Sequence, residues 1–575
     1  MRKHRLLCFA LVGFSALACS SSSNDTTSAH EDSGTRTKDA GADRSVSHPD
    51  SGPAEDSSVG SKDSAAVPEA AAHDANQGTT PDSGTGGGAD TGVDGGTAMP
   101  NGTVLATGPY IGIAGITDDG YVVYDTPNGT YVVSITGGTP TQLAPAGDPS
   151  SPGPEVTVLH NDVFVWTNIQ ETPDTPGTLA VWSHSLGTQH VLSSNSPTDF
   201  TVAVSADSSA IVYATDSADG STWTMFGVTT ATFNTPTILG TYTVSAKCSP
   251  YFQFTGTASP FYAISTECTP GGDGGVTQSV VAYKSTDWAS AKVLASDATS
   301  YAIDSTGTSV AVSLPSGQLE IVPLGSGVAA SIDSAGALSS GNPSFHLSLT
   351  DSFVLYATSA ESLKRSPLTG MPAPTTLVSA NVDGIYQVSP SEASVFLYGG
   401  VASTPVFTFA TGLSLASTAT PGTPTILSTG STATGLLGDA FTTDSNFAIY
   451  LTNINITDPV VDAGGSPQAS ALGTLKAVSV ADPSNVITLA TQSNGLQGST
   501  DLALDASRLS FTDNFSFNDA FGTVDIHVID LSTTAPSTIV AAGVSSGYMV
   551  SHDKKYIVYV INRGGSTDGL YAVAP

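Results

Sequence analysis

From about residue 101 to the carboxyl end, short apolar runs, alternating or continuous, are cut by Gly, Pro, Asp, Asn and Ser, with almost no helical period. Runs of that length between turn formers predict strands. One phrase recurs: a polar turn, then β-branched or aromatic residues ending in an aromatic. It reads Asp118-Asp119-Gly120-Tyr121-Val122-Val123-Tyr124, then Asn161-Asp162-Val163-Phe164-Val165-Trp166, then Ser205-Ala206-Asp207 leading to Ile211-Val212-Tyr213. Further copies end at Tyr262, Val312, Tyr356, Tyr398, Tyr450, Phe511 and Tyr559. The intervals are 42, 47, 49, 50, 44, 42, 52, 61 and 48 residues, close to the length of a four-stranded propeller blade.

Each anchor strand is followed by further strands. In the first unit these are Gly129–Ile135 and, after the Thr136-Gly137-Gly138 turn, Thr141-Gln142-Leu143. Outer strands recur at Thr237-Ile238-Leu239, Lys292-Val293-Leu294, Thr425-Ile426-Leu427, Val486–Leu489 and Thr538-Ile539-Val540. The scheme places the anchor strand second from the axis, covered by a blade on each face, which accounts for its continuous apolar runs. Asp119, Asp207, Asp444 and Asp553, at the starts of these strands, are expected to cap turns by accepting backbone N–H bonds.

The last unit supplies strands at Gly547–Val550, Tyr556–Val560 and Gly569–Val573, and Gly102–Ala106 is a spare strand able to complete it. The fold expected is all-β: a β-propeller of about ten four-stranded blade-like units. They form one large ring or two rings in tandem, with a possible division near residue 336. Ser389-Pro390 with Tyr398, Ser551-His552-Asp553 with Tyr559, and Ser205-Ala206-Asp207 with Tyr213 resemble the Ser-Pro-Asp-Gly-x-x-Ile-x-Tyr phrase of TolB-type, WD40-like propellers. The resemblance implies the fold over 101–575. It also implies a domain that binds other proteins, some members binding glycans or accompanying hydrolase domains.

The first hundred residues follow other rules. Met1–Arg5 carries three basic side chains and Leu6–Ala18 is apolar or small, as in an export signal too short to span a bilayer. Ala16-Leu17-Ala18-Cys19 resembles the lipobox of bacterial lipoproteins. That resemblance implies cleavage before Cys19, lipidation of its thiol and a place in the outer membrane, facing the periplasm or the cell surface. Residues 20–100 hold no Phe, Tyr or Trp and set 14 acidic against four basic side chains. Such a segment buries too little apolar area to offset its ordering entropy. It reads as a disordered tether with a reach on the order of 50 Å. The chain thus divides into 1–18 signal, 19–100 lipidated cysteine and tether, and 101–575 propeller. Asp82, Asp90 and Asp94 are too widely spaced for an EF-hand loop.

Charge and motifs then narrow the function. The propeller region carries 36 acidic and 10 basic side chains, which opposes nucleic acid and anionic lipid heads as partners. With Cys8 in the signal and Cys19 lipidated, Cys248 and Cys268 remain, and an oxidising compartment favours a disulfide between them. The one Gly-x-Ser-x-Gly match, Gly543-Val544-Ser545-Ser546-Gly547, has no helical stretch after it to support a hydrolase elbow, and no His-Glu-x-x-His or Walker pattern occurs. His184 and His190 read as surface or outer-strand residues, and His527 as one half of a local ion pair with Asp525. Ser217–Trp223 resembles a sialidase Asp-box one residue short, but Arg365, Arg508 and Arg563 fall in three separate units and form no carboxylate clamp. The expected function is a non-enzymatic, lipid-anchored binding or scaffold module for an envelope or extracellular protein or polysaccharide, with no cofactor, metal or catalytic residue assigned. A hydrolase or lyase with its site at the axis and a passive structural surface protein are the alternatives. The Asp458–Gln468 insertion and the loop after Tyr398 are candidate contact regions.

Overall fold

The computed structural model describes residues 101–575 except 147–153, 168–176, 197–199, 218–220, 244–250, 256–258, 271–275, 305, 327, 334–344, 349–351, 369–372, 400, 404–407, 411, 429–440, 457–459, 462–466, 469–470, 495–502, 518–521 and 546–547. Cys19, Cys248 and the tether lie outside them. Cys268 sits in the strand Tyr262–Pro270, opposite Gln278.

The described strands form antiparallel sheets that follow one another along the chain. Blade 1 spans 112–145, blade 2 155–196, blade 3 200–243, blade 4 251–295 and blade 5 300–333. Blade 6 spans 345–378, blade 7 384–428, blade 8 441–494 and blade 9 503–545. Blade 10 holds Tyr548–Val550, Ile557–Ile561 and Gly569–Val573, completed by Thr103–Thr107 from the other end of the chain. In blades 8 and 9 the innermost strand shrinks to a single bridge, Phe441 to Ala448 and Ala503 to Leu509.

Ten blades in a row have nine junctions. Ten apolar clusters are present, one per junction, and the tenth joins blade 10 to blade 1 through Val558, Val560 and Leu570 against Leu105, Val122 and Tyr124. Two rings of five would need junctions between blades 5 and 1 and between blades 10 and 6. Instead Leu319, Ile321 and Ile332 of blade 5 pack on Phe345, Leu347 and Tyr356 of blade 6. The chain is therefore one closed ring of ten blades, with no division near 336.

The second strands explain the recurring phrase. All seven residues of Ala210–Asp216 and all five of Phe353–Ala357 and Ile557–Ile561 are buried, because each strand is covered on both faces. Each such apolar side chain contributes about 1.5–3 kcal/mol of transfer free energy. The anchor aromatic faces the preceding blade: Tyr213 donates to Leu192 O at 2.8 Å and Tyr356 to Asp333 Oδ2 at 2.8 Å, both on outermost strands. Tyr213→Phe keeps the packing and leaves the buried Leu192 carbonyl without that donor. Chemical denaturation should show a loss of about 1 kcal/mol.

Three of the turn acids cap as expected: Asp207, Asp444 and Asp553 accept the N–H of Ser209, Asn446 and Lys555 at 2.9, 3.0 and 3.2 Å. Ser205, Thr442 and Ser551 each donate a hydroxyl to the aspartate two residues on (Asp207, 2.9 Å; Asp444, 2.6 Å; Asp553, 2.7 Å). The same hydroxyls accept the N–H of Ala210, Phe447 and Tyr556 at 3.0–3.1 Å. Asp119 accepts in the same way from Thr117.

The outer-strand phrase has its own cause. In all ten blades the pairing of the third and outermost strands slips by one residue. The skipped residue is a leucine in eight of them, including Leu105, Leu143, Leu239 and Leu294, with Ile332 and Val540 in the other two. Such a bulge turns that side chain toward the blade junction and adds twist at the sheet edge. The residue before it faces solvent, as Val104, Ile238, Val293, Ile426 and Ile539 do.

Candidate interaction face

Antiparallel blades put the first-to-second and third-to-fourth turns on one face of the ring and the second-to-third hairpins on the other. Most second strands run five to seven residues, but in blades 8 and 9 they run ten, as Phe447–Ile456 and Arg508–Phe517. Both depart from regular pairing at the same place. The register breaks after Thr452 and after Asp513, and Asn453 (φ 53°) and Asn514 (φ 56°) take the left-handed conformation that asparagine tolerates. Pairing then resumes to Ile456–Ala471 and Phe517–Gly522. The outermost strands follow, with Leu472 opposite Asn494 and Thr523 opposite Ser545. At ~3.3 Å per residue the part beyond the bulge stands about 13 Å above the shorter blades. Blade 4 carries a longer hairpin too, Tyr262–Pro270 with Val276–Lys284.

A polar network runs from the foot of the blade 9 ribbon into blade 10. Asn514 Nδ2 donates to Asp525 Oδ2 (2.9 Å), and Asp525 Oδ1 accepts the Gly543 N–H (2.7 Å). The Arg563 guanidinium donates to Gly543 O and Ala542 O, and Asp568 accepts the N–H of Arg563 and Gly564 at 2.8 and 2.9 Å. Gly543 takes a φ of +61°, which side chains rarely adopt, and a Cβ there would displace the Arg563 guanidinium. His527 is not the ion-pair partner of Asp525. Its ring stacks on Phe511 (5.1 Å) with Nδ1 3.2 Å from Ser537 Oγ, and burial pushes its pKa below the ordinary histidine value. Asp525 is held by an amide and a backbone N–H instead. Asn453 and Asn514 are exposed, so the face offers uncharged amides.

The other candidates disperse around the ring. His184 lies in a blade 2 turn, stacked on Tyr121 at 4.4 Å, and His190 stacks on Phe233 of blade 3 at 5.0 Å. Ser217 caps a hairpin, accepting the Thr222 N–H at 2.9 Å. Arg365 lies 4.0 Å over the Phe353 ring and Arg508 pairs with Asp505 at 3.0 Å. With Arg563 on Gly543, the three arginines serve three separate blades. The innermost strands are half-buried along their length, as at Glu155–Leu159 and Ser300–Ile303, and border the axial opening. Their described carboxylate and imidazole groups are Glu155 in blade 2 and His346 in blade 6, and His346 Nε2 lies 3.1 Å from Glu392 of the blade 7 turn. Among the described residues no group of three or more His, Cys, Asp or Glu is placed to hold a metal. The insertions after Tyr398 and Tyr450 form small hairpins, Val401–Ser403 with Thr408–Ala410 and Val460–Val461 with Pro467–Gln468.

No protein-family model matches the chain, and no curated protein matches it. Among solved structures it is similar to the tricorn protease, at 11% identity and TM-score 0.33 over 82% of this chain and 52% of that one. It thus spans about half the length of the tricorn protease. A eukaryotic initiation factor matches at 12% identity and TM-score 0.40, over 68% of this chain and 90% of that one. The β-propeller domain of the Trilobed protease from Pyrococcus furiosus matches at 12% and 0.26, over 56% and 95%. The ten-blade ring rests on this chain's own strand pairing and junctions.

Proposed function

We propose that this chain is a lipid-anchored propeller of the bacterial envelope or cell surface, binding protein or polysaccharide without catalysing a reaction. The observation that carries the reading is the pair of lengthened hairpins on neighbouring blades 8 and 9, with matching asparagine bulges. Raised, hydrogen-bonded ribbons with exposed amides suit recognition of hydroxyl-rich or backbone-rich partners, for which uncharged donors and acceptors fix orientation. The acidic balance of the chain directs it away from polyanions. The lipobox-like Ala16–Cys19 sequence supports anchoring, and two or more acyl chains would make the attachment stable.

The test is a crosslinking pull-down from intact cells. Cys19→Ala is expected to leave the membrane fraction, and its retention there overturns the anchor. Replacing 457–470 by a two-residue turn should remove partner recovery without moving the unfolding midpoint. Unchanged recovery overturns the assignment of this face.

A further inference from the structure

On the opposite face, the first turns of blades 10, 1 and 2 meet at the seam where the ring closes, and Asp118 is shared by all three. Its Oδ2 lies 2.9 Å from His160 Nδ1 of blade 2, and its Oδ1 3.6 Å from His552 Nδ1 of blade 10. The backbone follows the same path: the Asp118 N–H donates to His160 O (3.0 Å) and the Asp119 N–H to Asn161 Oδ1 (2.8 Å). His160 (φ 53°) and Asn161 make a two-residue turn between the paired Leu159 and Asp162. This tight turn carries Asp162 into the strand, where it is 1% exposed and Oδ2 makes no hydrogen bond with the described residues. The matching position in blade 3 is Ala210.

We propose that these turns form a proton-operated clasp at the seam, shut while His160 is protonated against Asp118 and Asp162 keeps its proton, and loosened when both are lost. The hydrogen bond to Asp118 raises the His160 pKa above the ordinary histidine value, and the same bond holds the Asp118 carboxyl below the usual range. Burial pushes Asp162 up to about 7. Both raised groups act in one direction. The folded seam binds more protons than the unfolded chain, so its stability falls as pH rises, from about 4 to about 7 for Asp162 and from the ordinary histidine pKa upward for His160, and levels off once both protons are lost. Once both protons are lost, Asp162 is a buried anion beside Asp118 and Asp119 of the adjoining turn, with no charge on His160 to offset them. The other charged or titratable groups on the packed turns are His552, Asp553, Lys554 and Lys555 of blade 10, Tyr121 of blade 1, His184 of blade 2 and Asp207 of blade 3. Lys555 is taken up by Asp553 at 3.0 Å and His184 by Tyr121 OH at 3.0 Å. The clasp is a local device, since blades 5 and 6 are joined by the Lys364–Asp333 pair at 2.9 Å instead.

The test is amide hydrogen exchange of the full chain at pH 6 and pH 8, corrected for the intrinsic pH dependence of exchange. The second and third strands of blade 5, Ser309–Ser313 and Leu319–Pro323, serve as the internal reference. Protection over 112–126, 155–167 and 548–561 should fall on the order of tenfold relative to the reference between the two pH values. His160→Gln and Asp162→Asn should each flatten that difference, and Asp162→Asn should raise seam protection at pH 8. A wild-type seam that follows the reference, or variants that keep the full difference, overturns the proposal. If His160→Gln does not fold, Asp162→Asn decides.

Discussion

Tyr356→Ala is expected to lower the stability of the ring by about 3–5 kcal/mol, read as a shift of the denaturant midpoint. The side chain is fully buried in blade 6 and packs against Ala311, Leu319 and Ile321 of blade 5. Its hydroxyl and Lys364 Nζ both bind Asp333 Oδ2, at 2.8 and 2.9 Å. Truncation therefore opens a cavity and removes a donor from a carboxylate that is only 14% exposed. Tyr356→Phe separates the two effects, keeping the ring and costing about 1 kcal/mol. This junction also discriminates between architectures. Had the chain folded as two rings, Tyr356 would pack on blade 10 and its hydroxyl would not reach Asp333 of blade 5, so Tyr356→Phe would cost nothing at that carboxylate. A loss below about 1 kcal/mol in Tyr356→Ala would contradict the blade 5–6 packing on which the single ring depends.

The second and outermost strands were legible because each is bound by a local rule. Seven anchors, Tyr124, Tyr213, Val312, Tyr356, Tyr450, Phe511 and Tyr559, occupy one equivalent position, each facing the blade before it. Where packing overrode the rule, the reading slipped. Trp166 and Tyr398 sit one place further along their strands, because Val165 and Leu397 take the equivalent position. Tyr262 opens its strand opposite Thr255, leaving Ser265 at that position. The recurrent leucine of the outer phrase was visible, yet its meaning as a bulge was not, since a slip in register is a property of two strands.

What sequence did not disclose was contact across blades. Asp119 was legible as a turn acid because its partner Thr117 is two residues away. Asp118 beside it was not, because its partners His160 and His552 come from turns 42 and 434 residues away, brought together only by closure. Asp162 was read as part of a polar turn. A two-residue turn instead of the four-residue turn of blade 3 moves it into the buried strand, and turn length there is set by the left-handed His160. The asparagine bulges were equally hidden. Thr452-Asn453 and Asp513-Asn514 look like ordinary loop residues until the paired strands beyond them show that the hairpins continue.

Closure itself makes the last prediction, from two adjacent residues with opposite surroundings. In Thr103–Thr107, Val104 is half-exposed opposite Tyr571, while Leu105 bulges into the blade 10–1 cluster with Val122, Tyr124, Val560 and Leu570. Leu105→Asp puts an unpaired carboxylate among those side chains, where it either stays charged at high cost or takes up a proton, and it also forfeits the leucine packing. The loss should exceed the ~2–5 kcal/mol of a leucine-to-alanine truncation. Val104→Asp, on the same strand with the same backbone bonds, should stay within about 0.5 kcal/mol of wild type. The measurement is the denaturant midpoint of each variant with protease susceptibility of residues 569–573, the edge that Thr103–Thr107 covers. A ring that depends on this strand loses midpoint and edge protection together in Leu105→Asp and keeps both in Val104→Asp. Equal, mild effects from the two variants would mean that the first and last blades hold together without the strand between them, and the closed ring would have to be abandoned.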